Sequence, residues 1–320
     1  TYDAAARLET VSNSNPGRPD EAYTYDLMGN RLTSHHGGTS HAIDTGNLLT
    51  DDGRYTYTYD ADGNVASRND STTGQVTEFS YDHRNRLSEI LLKPDAASPP
   101  ATTLRYDYDF RDRLISREIN GAKTWIINDR EMPLGEFRDG ETELSAAFLY
   151  SLDRLDDFHA VWRDGIGERW FLKDHLGSVR GITDEDGNIL SWQDYDAFGN
   201  TLGTPVLEPV AFAGRFFVPE AGLYENRRRF YDPVQGRFLS PDPFGYSGGD
   251  LNLYTYVRNH PLMLTDPTGQ VAAIGYGMQI DLVNFYLGAL CKYANCVASL
   301  WGGVVEGFLE QAPMSGLPIT

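Results

Sequence analysis

Two aspartates stand in nearly duplicated settings near the end of the chain. Asp242 lies in SPDPFG, and Asp266 lies in LTDPTG, 24 residues later. Two carboxylates held at about 3 Å cannot both ionise cheaply, so they share one proton. One then acts as a general base on a water and the other as a general acid on a peptide carbonyl, and the pair titrates as a unit. This chemistry is peptide hydrolysis by an aspartate pair.

A third Asp-Pro pair, at Asp232, shows that the dipeptide also has a purely structural explanation. Proline fixes φ and lacks an N–H, and it favours an extended preceding residue, so each pair ends a strand or starts a turn. Asp242 and Asp266 differ from that case because their similar settings flank one aromatic segment, residues 251–257. We expect this segment to be a strand, and a strand out and back would bring the two carboxylates together.

Arginines near these aspartates are candidate supporting residues. Arg237, in GRFLSPDP, would orient a carboxylate or bind the cut end, although stacking on Phe238 or Tyr231 is an equally good account of it. The arginine run at 227–229 would be a clamp for a substrate or nucleic acid, or a solvated strand edge. The solvated edge is preferred, because three charges in an acidic chain make no basic patch.

Two further groups do not predict a site. Asp174, His175 and Ser178 have the residue types of a hydrolytic triad, but triads are assembled from distant loops, so a hairpin turn with polar caps is preferred. Cys291 and Cys296, in CKYANC, lack the paired spacing of a zinc site. We therefore expect no metal and no cofactor.

The elements that must position these residues are hairpins, because a tyrosine-aspartate phrase recurs along the chain. In Tyr55–Tyr59 the alternation of tyrosine and threonine favours a strand with one packed face. Asp60 can accept backbone N–H groups at the turn, and Gly63 can supply a positive φ. The pairs are Tyr2-Asp3, Tyr25-Asp26, Tyr59-Asp60, Tyr81-Asp82, Tyr106-Asp107 and, as a later echo, Tyr195-Asp196.

Composition agrees with many strands joined by tight turns, since the 320 residues include 19 tyrosines and 32 glycines. A net charge of −19 argues against a nucleic-acid surface and against electrostatic docking on an anionic membrane. No signal peptide is visible in TYDAAARLETVSNS. Because this start lies inside a repeat, we expect the protein to extend upstream.

The phrases resemble the YD repeats of Rhs proteins, of toxin-complex C components and of teneurins. The resemblance covers about residues 1–200 and implies an all-β fold of stacked antiparallel hairpins. In that family the repeats spiral into a hollow shell, so residues 1–200 are expected to be the last part of one. Residues 201–270 resemble the Rhs-associated core, in which two aspartates form an intramolecular aspartyl protease. Asp242 and Asp266 fall on those two aspartates.

The same resemblance implies a cleavage site. Rhs cores cut just after Asp-Pro-x-Gly-Leu, and Pro267 and Gly269 fall on the proline and glycine of that motif. The cut would fall between Gln270 and Val271. Gln270 departs from the family's leucine, which puts the rate of cutting in doubt. The implied enzyme is a single-turnover aspartyl protease that acts on its own chain.

Residues 271–320 differ sharply in composition, because 30 of these 50 residues are hydrophobic. They are predicted to be a variable apolar segment, mainly helical or disordered, without a stretch long enough to span a membrane. The resemblance implies a cargo or toxin start held inside the shell. An apolar lead segment or truncated cargo is ranked first, and membrane contact second.

Two classes of function follow. The first is a carrier that encapsulates a C-terminal toxin or effector and cleaves itself, secreted or delivered to target cells. Its partners would be its own C-terminal segment and either the upstream shell or secretion-system components, with no nucleic acid. The second is a non-enzymatic surface or adhesion protein of the bacterial cell surface, whose YD repeats bind partners or glycans.

Overall fold

The computed structural model describes residues 1–14, 17–36, 41–203, 207–270 and the strand residues 273–274. The chain divides into two compact units, Thr1–Gly277 and Met278–Thr320. The second unit lies outside the described residues, and so does the expected structure of 271–320 apart from 273–274. Among the described residues, no helix has the length and apolar character needed to cross a membrane.

The first unit is built almost wholly from short strands and tight turns. Four strands come first, namely β1 (Thr10–Val11), β2 (Glu21–Ala22), β3 (Thr24–Tyr25) and β4 (Arg31–Thr33). The next fifteen are β5 (Ala42–Asp44), β6 (Leu48–Asp51), β7 (Tyr55–Tyr59), β8 (Val65–Asp70), β9 (Val76–Tyr81), β10 (Leu87–Lys93), β11 (Thr102–Tyr108), β12 (Leu114–Ile119), β13 (Ala122–Asp129), β14 (Met132–Arg138), β15 (Ala146–Tyr150), β16 (Phe158–Arg163), β17 (Gly167–Lys173), β18 (Val179–Thr183) and β19 (Ile189–Trp192). The last are β20 (Asp194–Tyr195), β21 (Thr201–Leu202), β22 (Phe216–Val218), β23 (Leu223–Asn226), β24 (Arg229–Asp232), β25 (Arg237–Phe238), β26 (Leu264–Thr265) and β27 (Ala273–Ile274).

Strands β5 to β19 form one 15-stranded sheet in which every strand pairs with its sequence neighbours. All of these pairings are antiparallel, as hairpins require. Helical structure in the described residues is limited to short 3₁₀ turns, Thr45–Asn47, Phe212–Gly214, Gly245–Gly248 and Val257–Asn259. The predicted all-β fold of stacked hairpins is confirmed.

Alternating burial explains why these sequences form strands. Along β7 the middle tyrosine, Tyr57, is buried while the threonines on either side are exposed. The buried face packs with Phe79, Ile90 and Leu104 of later hairpins in one core. Each hairpin therefore depends on its neighbours for burial of its apolar face.

The hairpins share a motif that we call the repeat turn, an aspartate whose Oδ1 accepts backbone N–H groups two and four residues later. At Asp60 these donors are Asp62 at 3.0 Å and Asn64 at 2.9 Å, and the Asn64 side chain donates to Oδ2 at 2.9 Å. Gly63 takes the positive φ, +85°, that closes the turn. The same pattern occurs at Asp3, Asp26, Asp82, Asp109, Asp174, Asp184 and Asp196.

One predicted repeat pair was misplaced by two residues. In YDYDF the turn aspartate is Asp109, after the strand-ending Tyr108, whereas Asp107 lies within β11. Asp107 pairs there with Ser116 and Lys123, at 2.7 Å each. The sequence YDYDF contains two Tyr-Asp pairs, and either could have preceded the turn. The register of β11 against β12 places the second pair, Tyr108-Asp109, at the turn.

Residues 201–270 pack into the same core as the hairpins. Strands β22 to β25 form a four-stranded antiparallel sheet. Leu223 and Phe230 of this sheet, with Leu239 just after β25, pack into the core of the large sheet. A second cluster stacks Tyr231, Phe238 and other aromatic side chains behind it. This sheet and its aromatic core fix the position of the arginines and aspartates that follow.

Candidate active site

Asp266 lies in a repeat turn. Its Oδ1 accepts from the backbone N–H groups of Thr268 at 3.2 Å and Gln270 at 3.0 Å, and Gly269 has a φ of +72°. The segment DPTGQ therefore folds as the hairpin turns do, with proline at the second position. These backbone bonds fix the orientation of the carboxylate.

Asp242 lies in a related turn. Its Oδ1 accepts from Phe244 N at 2.8 Å, and its carbonyl accepts from Gly245 N at 2.8 Å. Its own N–H donates to Leu253 O at 2.9 Å. The strand that we expected at 251–257 is wrong, because this segment is turns with a single bridge from Thr255 to β25. Side-chain hydrogen bonds there, such as the one that Tyr254 N donates to Asn252 Oδ1, compete with the backbone pairing of a strand.

Arg229 joins the two aspartates. Its Nη2 lies 3.1 Å from Asp242 Oδ2 and 3.3 Å from Asp266 Oδ2. The two carboxylate oxygens therefore lie no farther apart than the sum of those distances. Sequence reasoning placed the two aspartates together, and the structure does the same, although it puts a guanidinium against both.

The remaining contacts of Arg229 fix it in place. Its Nε donates to Gly269 O, its Nη1 donates to Leu253 O at 3.1 Å, and its Cζ lies 3.6 Å from the centre of the Phe238 ring. The side chain is only 3% exposed. A buried arginine with this set of partners positions both aspartates and the backbone just before Gln270.

The electrostatics of the pair differ from those of exposed aspartates. Burial raises the pKa of Asp242, the nearby Asp266 carboxylate adds to that increase, and Arg229 opposes it. Burial lowers the pKa of Arg229, whereas Asp266 and Asp242 act to raise it. Asp242 thus keeps a proton to higher pH than a free aspartate does.

Two further arginines hold the loop that carries Asp266. Arg215 donates from Nη2 to the Asp266 carbonyl at 3.0 Å, and Arg227 donates to the Pro267 carbonyl. Both arginines also pair with the buried Asp156, at 2.6 Å and 2.8 Å. The backbone around the second aspartate is therefore fixed from both sides.

Gly269 permits a close approach that no other residue allows. A Cβ at this position would lie 2.2 Å from the carbonyl oxygen of Asn226. The turn and the end of β23 are in direct backbone contact here, and Asn226 itself is buried. This contact sets the distance between the β23–β24 hairpin and the loop that precedes Val271.

A cavity of about 30 Å³ lies beside the two aspartates, and its lining includes Arg229, Asp242, Asp266 and Gln270. A polar cavity of this size holds one or two waters. The arrangement therefore has the parts that peptide hydrolysis requires: two carboxylates, a space for water and a nearby backbone segment.

Other arginine predictions fare differently. Arg237 donates to Asn47 O at 2.6 Å and lies over the Tyr254 ring, so its role as a supporting residue of the aspartates stays a prediction. The solvated-edge interpretation of 227–229 is wrong for Arg227 and Arg229, whose side chains are 12% and 3% exposed. Buried carboxylates compensate their charges, and only Arg228 is largely exposed. Arg229 was missed because its carboxylate partners lie far from it in sequence.

The predicted cleavage point is partly outside the described residues. Gln270 is buried, whereas Val271 is not described, so the bond between them has no recorded geometry. On either side of it, Thr265 pairs with Ala273 and Leu264 with Ile274. The expected cut would thus fall between β26 and β27 in the chain.

The rejected triad is a repeat turn. Asp174 Oδ1 accepts from Leu176 N and Ser178 N, His175 contacts Leu262 O, and Ser178 Oγ accepts from Ala213 N. The described side chains that could jointly ligate a metal ion are His35, His36 and Asp196, and they lie outside the aspartate site.

Comparison with known proteins supports the repeat assignment. Residues 1–262 match the family described as Teneurin YD-shell. The tRNA3(Ser)-specific nuclease WapA of Bacillus spizizenii is 30% identical over an alignment of 263 positions, gaps included, which covers 77% of this chain and 11% of that protein. The toxin protein Tse5 of Pseudomonas aeruginosa is 27% identical over an alignment of 341 positions, gaps included, which covers 84% of this chain and 25% of that protein. The chain spans a quarter or less of the length of these relatives.

Solved structures show the same fold. The structure of TcdB2-TccC3-TEV superposes with a TM-score of 0.52 at 20% identity, over 84% of this chain and 17% of that chain. The structure of TcdB2-TccC3-Cdc42 gives a TM-score of 0.51 at 20% identity, with the same coverage. At this level of identity the likeness concerns the fold alone.

Proposed function

The chain belongs to the Teneurin YD-shell family, and from that premise we propose that it is the end of a shell that encloses its own C-terminal segment and cuts its chain after Gln270. The enzyme activity is a single turnover by Asp242 and Asp266. The observation that carries the proposal is the pairing of both carboxylates with one nitrogen of the buried Arg229, beside Gln270.

The proposed reaction begins with a water in the cavity. Asp266 accepts a proton as the water oxygen attacks the carbonyl carbon of Gln270, and protonated Asp242 donates its proton to the carbonyl oxygen. The tetrahedral intermediate then collapses: the C–N bond breaks, the proton held by Asp266 passes to the nitrogen of Val271, and one hydroxyl proton of the intermediate returns to Asp242. The products are a carboxyl group on Gln270 and an amine on Val271.

The assignment of acid and base follows from the surroundings of each aspartate. Burial raises the pKa of Asp242, which favours the protonated form that a general acid needs. Asp266 accepts backbone N–H bonds on Oδ1 and pairs with Arg229 through Oδ2, so its carboxylate is held beside the cavity, where a base would act. Arg229 is a positioning residue, because it acts through the two aspartates.

The proposal is tested by following the full chain on a gel, with mass spectrometry of the ends. We expect a new N-terminus at Val271 and a released fragment of residues 271–320. Asp242→Asn and Asp266→Asn should each leave the chain whole, because each removes one proton-transfer partner. Asp184→Asn is the matched control, since it makes the same change in a repeat turn outside the site.

Cutting at Val271 in the double Asp242→Asn, Asp266→Asn variant would refute the mechanism. A parent chain that stays whole is compared with Gln270→Leu, which restores the leucine expected in Rhs cores. If both stay whole, self-cleavage is refuted for this chain. The adhesion hypothesis, in which YD repeats bind partners without catalysis, would then be the better account.

The cargo and its delivery are further parts of the proposal. Relatives with the same repeats include the toxin protein Tse5 and nucleases named WapA, which supports a toxin or effector as cargo. Residues 271–320 would be the start of this cargo, and upstream shell or secretion-system components would be the partners. The same relationship supports secretion, or delivery into a target cell, and recovery of the fragment outside the producing cells would test it.

A further inference from the structure

Two consecutive histidines meet an aspartate from the far end of the repeat region. Asp196 Oδ2 lies 2.8 Å from His36 Nε2 and 3.6 Å from His35 Nε2. One ligand atom from each residue lies within 4.8 Å of the others. Ligand atoms around one metal ion have separations of this order, because each lies about 2.0–2.2 Å from the metal.

The turn around Asp196 fixes its carboxylate in a position to bind a metal ion. It lies in a repeat turn, where its Oδ1 accepts from Phe198 N and Asn200 N at 2.9 Å each. In the repeat turn at Asp60, by contrast, Oδ2 accepts from the asparagine side chain four residues later. At Asp196 the recorded contacts of Oδ2 are the two histidine rings, and the aspartate side chain is only 1% exposed.

His35 lacks the partners that a buried histidine normally has. Its side chain is 7% exposed, and neither ring nitrogen has a hydrogen-bond partner among the described residues. A neutral imidazole offers one ring nitrogen to a metal ion. Buried polar atoms normally have a partner, and a bound ion is one kind of partner that this ring could take.

We propose that His35, His36 and Asp196 bind a divalent transition-metal ion of the zinc class, with water as a fourth ligand. Two imidazoles and one carboxylate suit Zn²⁺ better than Mg²⁺ or Ca²⁺, which prefer oxygen ligands. The histidines follow β4, and Asp196 follows β20, 160 residues away in the chain. The ion would therefore join the β3–β4 hairpin to the β20–β21 hairpin.

No metal site was expected from the sequence, because the two histidines have no third ligand near them in the chain. The His-His pair in SHHGG is the one signal that sequence reasoning had available. On its own, such a pair is a common surface feature.

The test uses the full chain after removal of metals by a chelator and dialysis. Equilibrium dialysis with Zn²⁺ and metal analysis should give one tightly bound zinc per chain, and zinc should raise the melting temperature. His35→Asn should weaken zinc binding by about 100-fold or more, since even loss of a residue behind the ligands costs about 10–100-fold. His83→Asn is the control, because it removes an exposed histidine outside the cluster.

A second measurement needs no variant. Co²⁺ added to the metal-free parent chain should give the strong visible absorption of a four-coordinate site, and one equivalent of Zn²⁺ should abolish it. The proposal is overturned if the parent binds no stoichiometric metal, or if His35→Asn binds it as tightly as the parent. Absence of any zinc effect on melting would mean that His36 and Asp196 form a hydrogen bond only.

Discussion

The most direct test of the site geometry is a matched pair of glycine substitutions, Gly269→Ala and Gly187→Ala. Both glycines hold the same place in a repeat turn, with φ of +72° and +83°. They differ in their surroundings. A Cβ on Gly187 would meet no atom within 4 Å, whereas a Cβ on Gly269 would lie 2.2 Å from Asn226 O.

The expected magnitudes follow from these two situations. Gly187→Ala should lower the unfolding free energy by about 1–2 kcal/mol, because alanine is strained in a left-handed conformation. Gly269→Ala should lower it by the same amount and by about 1–3 kcal/mol more, because its Cβ overpacks the contact. Relief of the clash requires the turn to move by about 1 Å from Asn226 O, and a displacement of this size costs on the order of 100-fold in rate. Gly269→Ala should therefore cut about 100 times more slowly than Gly187→Ala.

The assay combines unfolding in denaturant with a time course of cleavage on a gel. If the parent chain does not cut, both substitutions are compared in the Gln270→Leu background. Equal cleavage rates for the two variants would refute the claim that the Gly269 contact positions the site. Equal unfolding free energies would show that the 2.2 Å approach relaxes without cost.

Three other outcomes are expected. Because burial raises the pKa of Asp242 above that of an unfolded aspartate, the folded chain binds this proton more tightly. The unfolding free energy should therefore fall as pH rises between the two pKa values. Unfolding measured at several pH values should show this slope in the parent chain and not in Asp242→Asn. Gln270→Leu should cut at least as fast as the parent. Gln270→Asn should cut more slowly on the same gel, because an asparagine four residues after Asp266 can donate its side-chain N–H to Asp266 Oδ2, as Asn64 does to Asp60, and would compete there with Arg229. Tyr254→Phe should lower the unfolding free energy by about 1 kcal/mol, because it removes the hydroxyl that donates to Gly63 O at 2.7 Å. The loss should appear as a lower melting temperature.

The hairpins could be predicted from sequence because their signals are local. Alternation in Tyr55–Tyr59 and the glycine at Gly63 lie within one hairpin, and the structure confirms both. The error at Tyr106-Asp107 is also local in origin, since YDYD offers two registers. Only pairing with the next strand decides that Asp109 makes the turn.

The site was harder to predict because its contacts are distant in sequence. The juxtaposition of Asp242 and Asp266 rested on their duplicated motifs, but the strand that was expected to join them does not exist. Arg229 carried no local signal beyond its charge. Its role is visible only after β24 brings it against two turns, 13 and 37 residues later in the chain.

The candidate site reuses the turn on which the hairpins are built. At Asp26 and Asp60 the fifth residue of the turn donates a side-chain N–H to Oδ2, so the carboxylate closes on its own turn. At Asp266 the backbone half of this pattern is kept, and Oδ2 instead faces Arg229. At Asp266 the asparagine donor of the turn is replaced by Arg229, which also binds Asp242, so the two carboxylates lie together although the backbone of the turn is unchanged. The proposed site therefore differs from an ordinary repeat turn by a small number of side-chain changes.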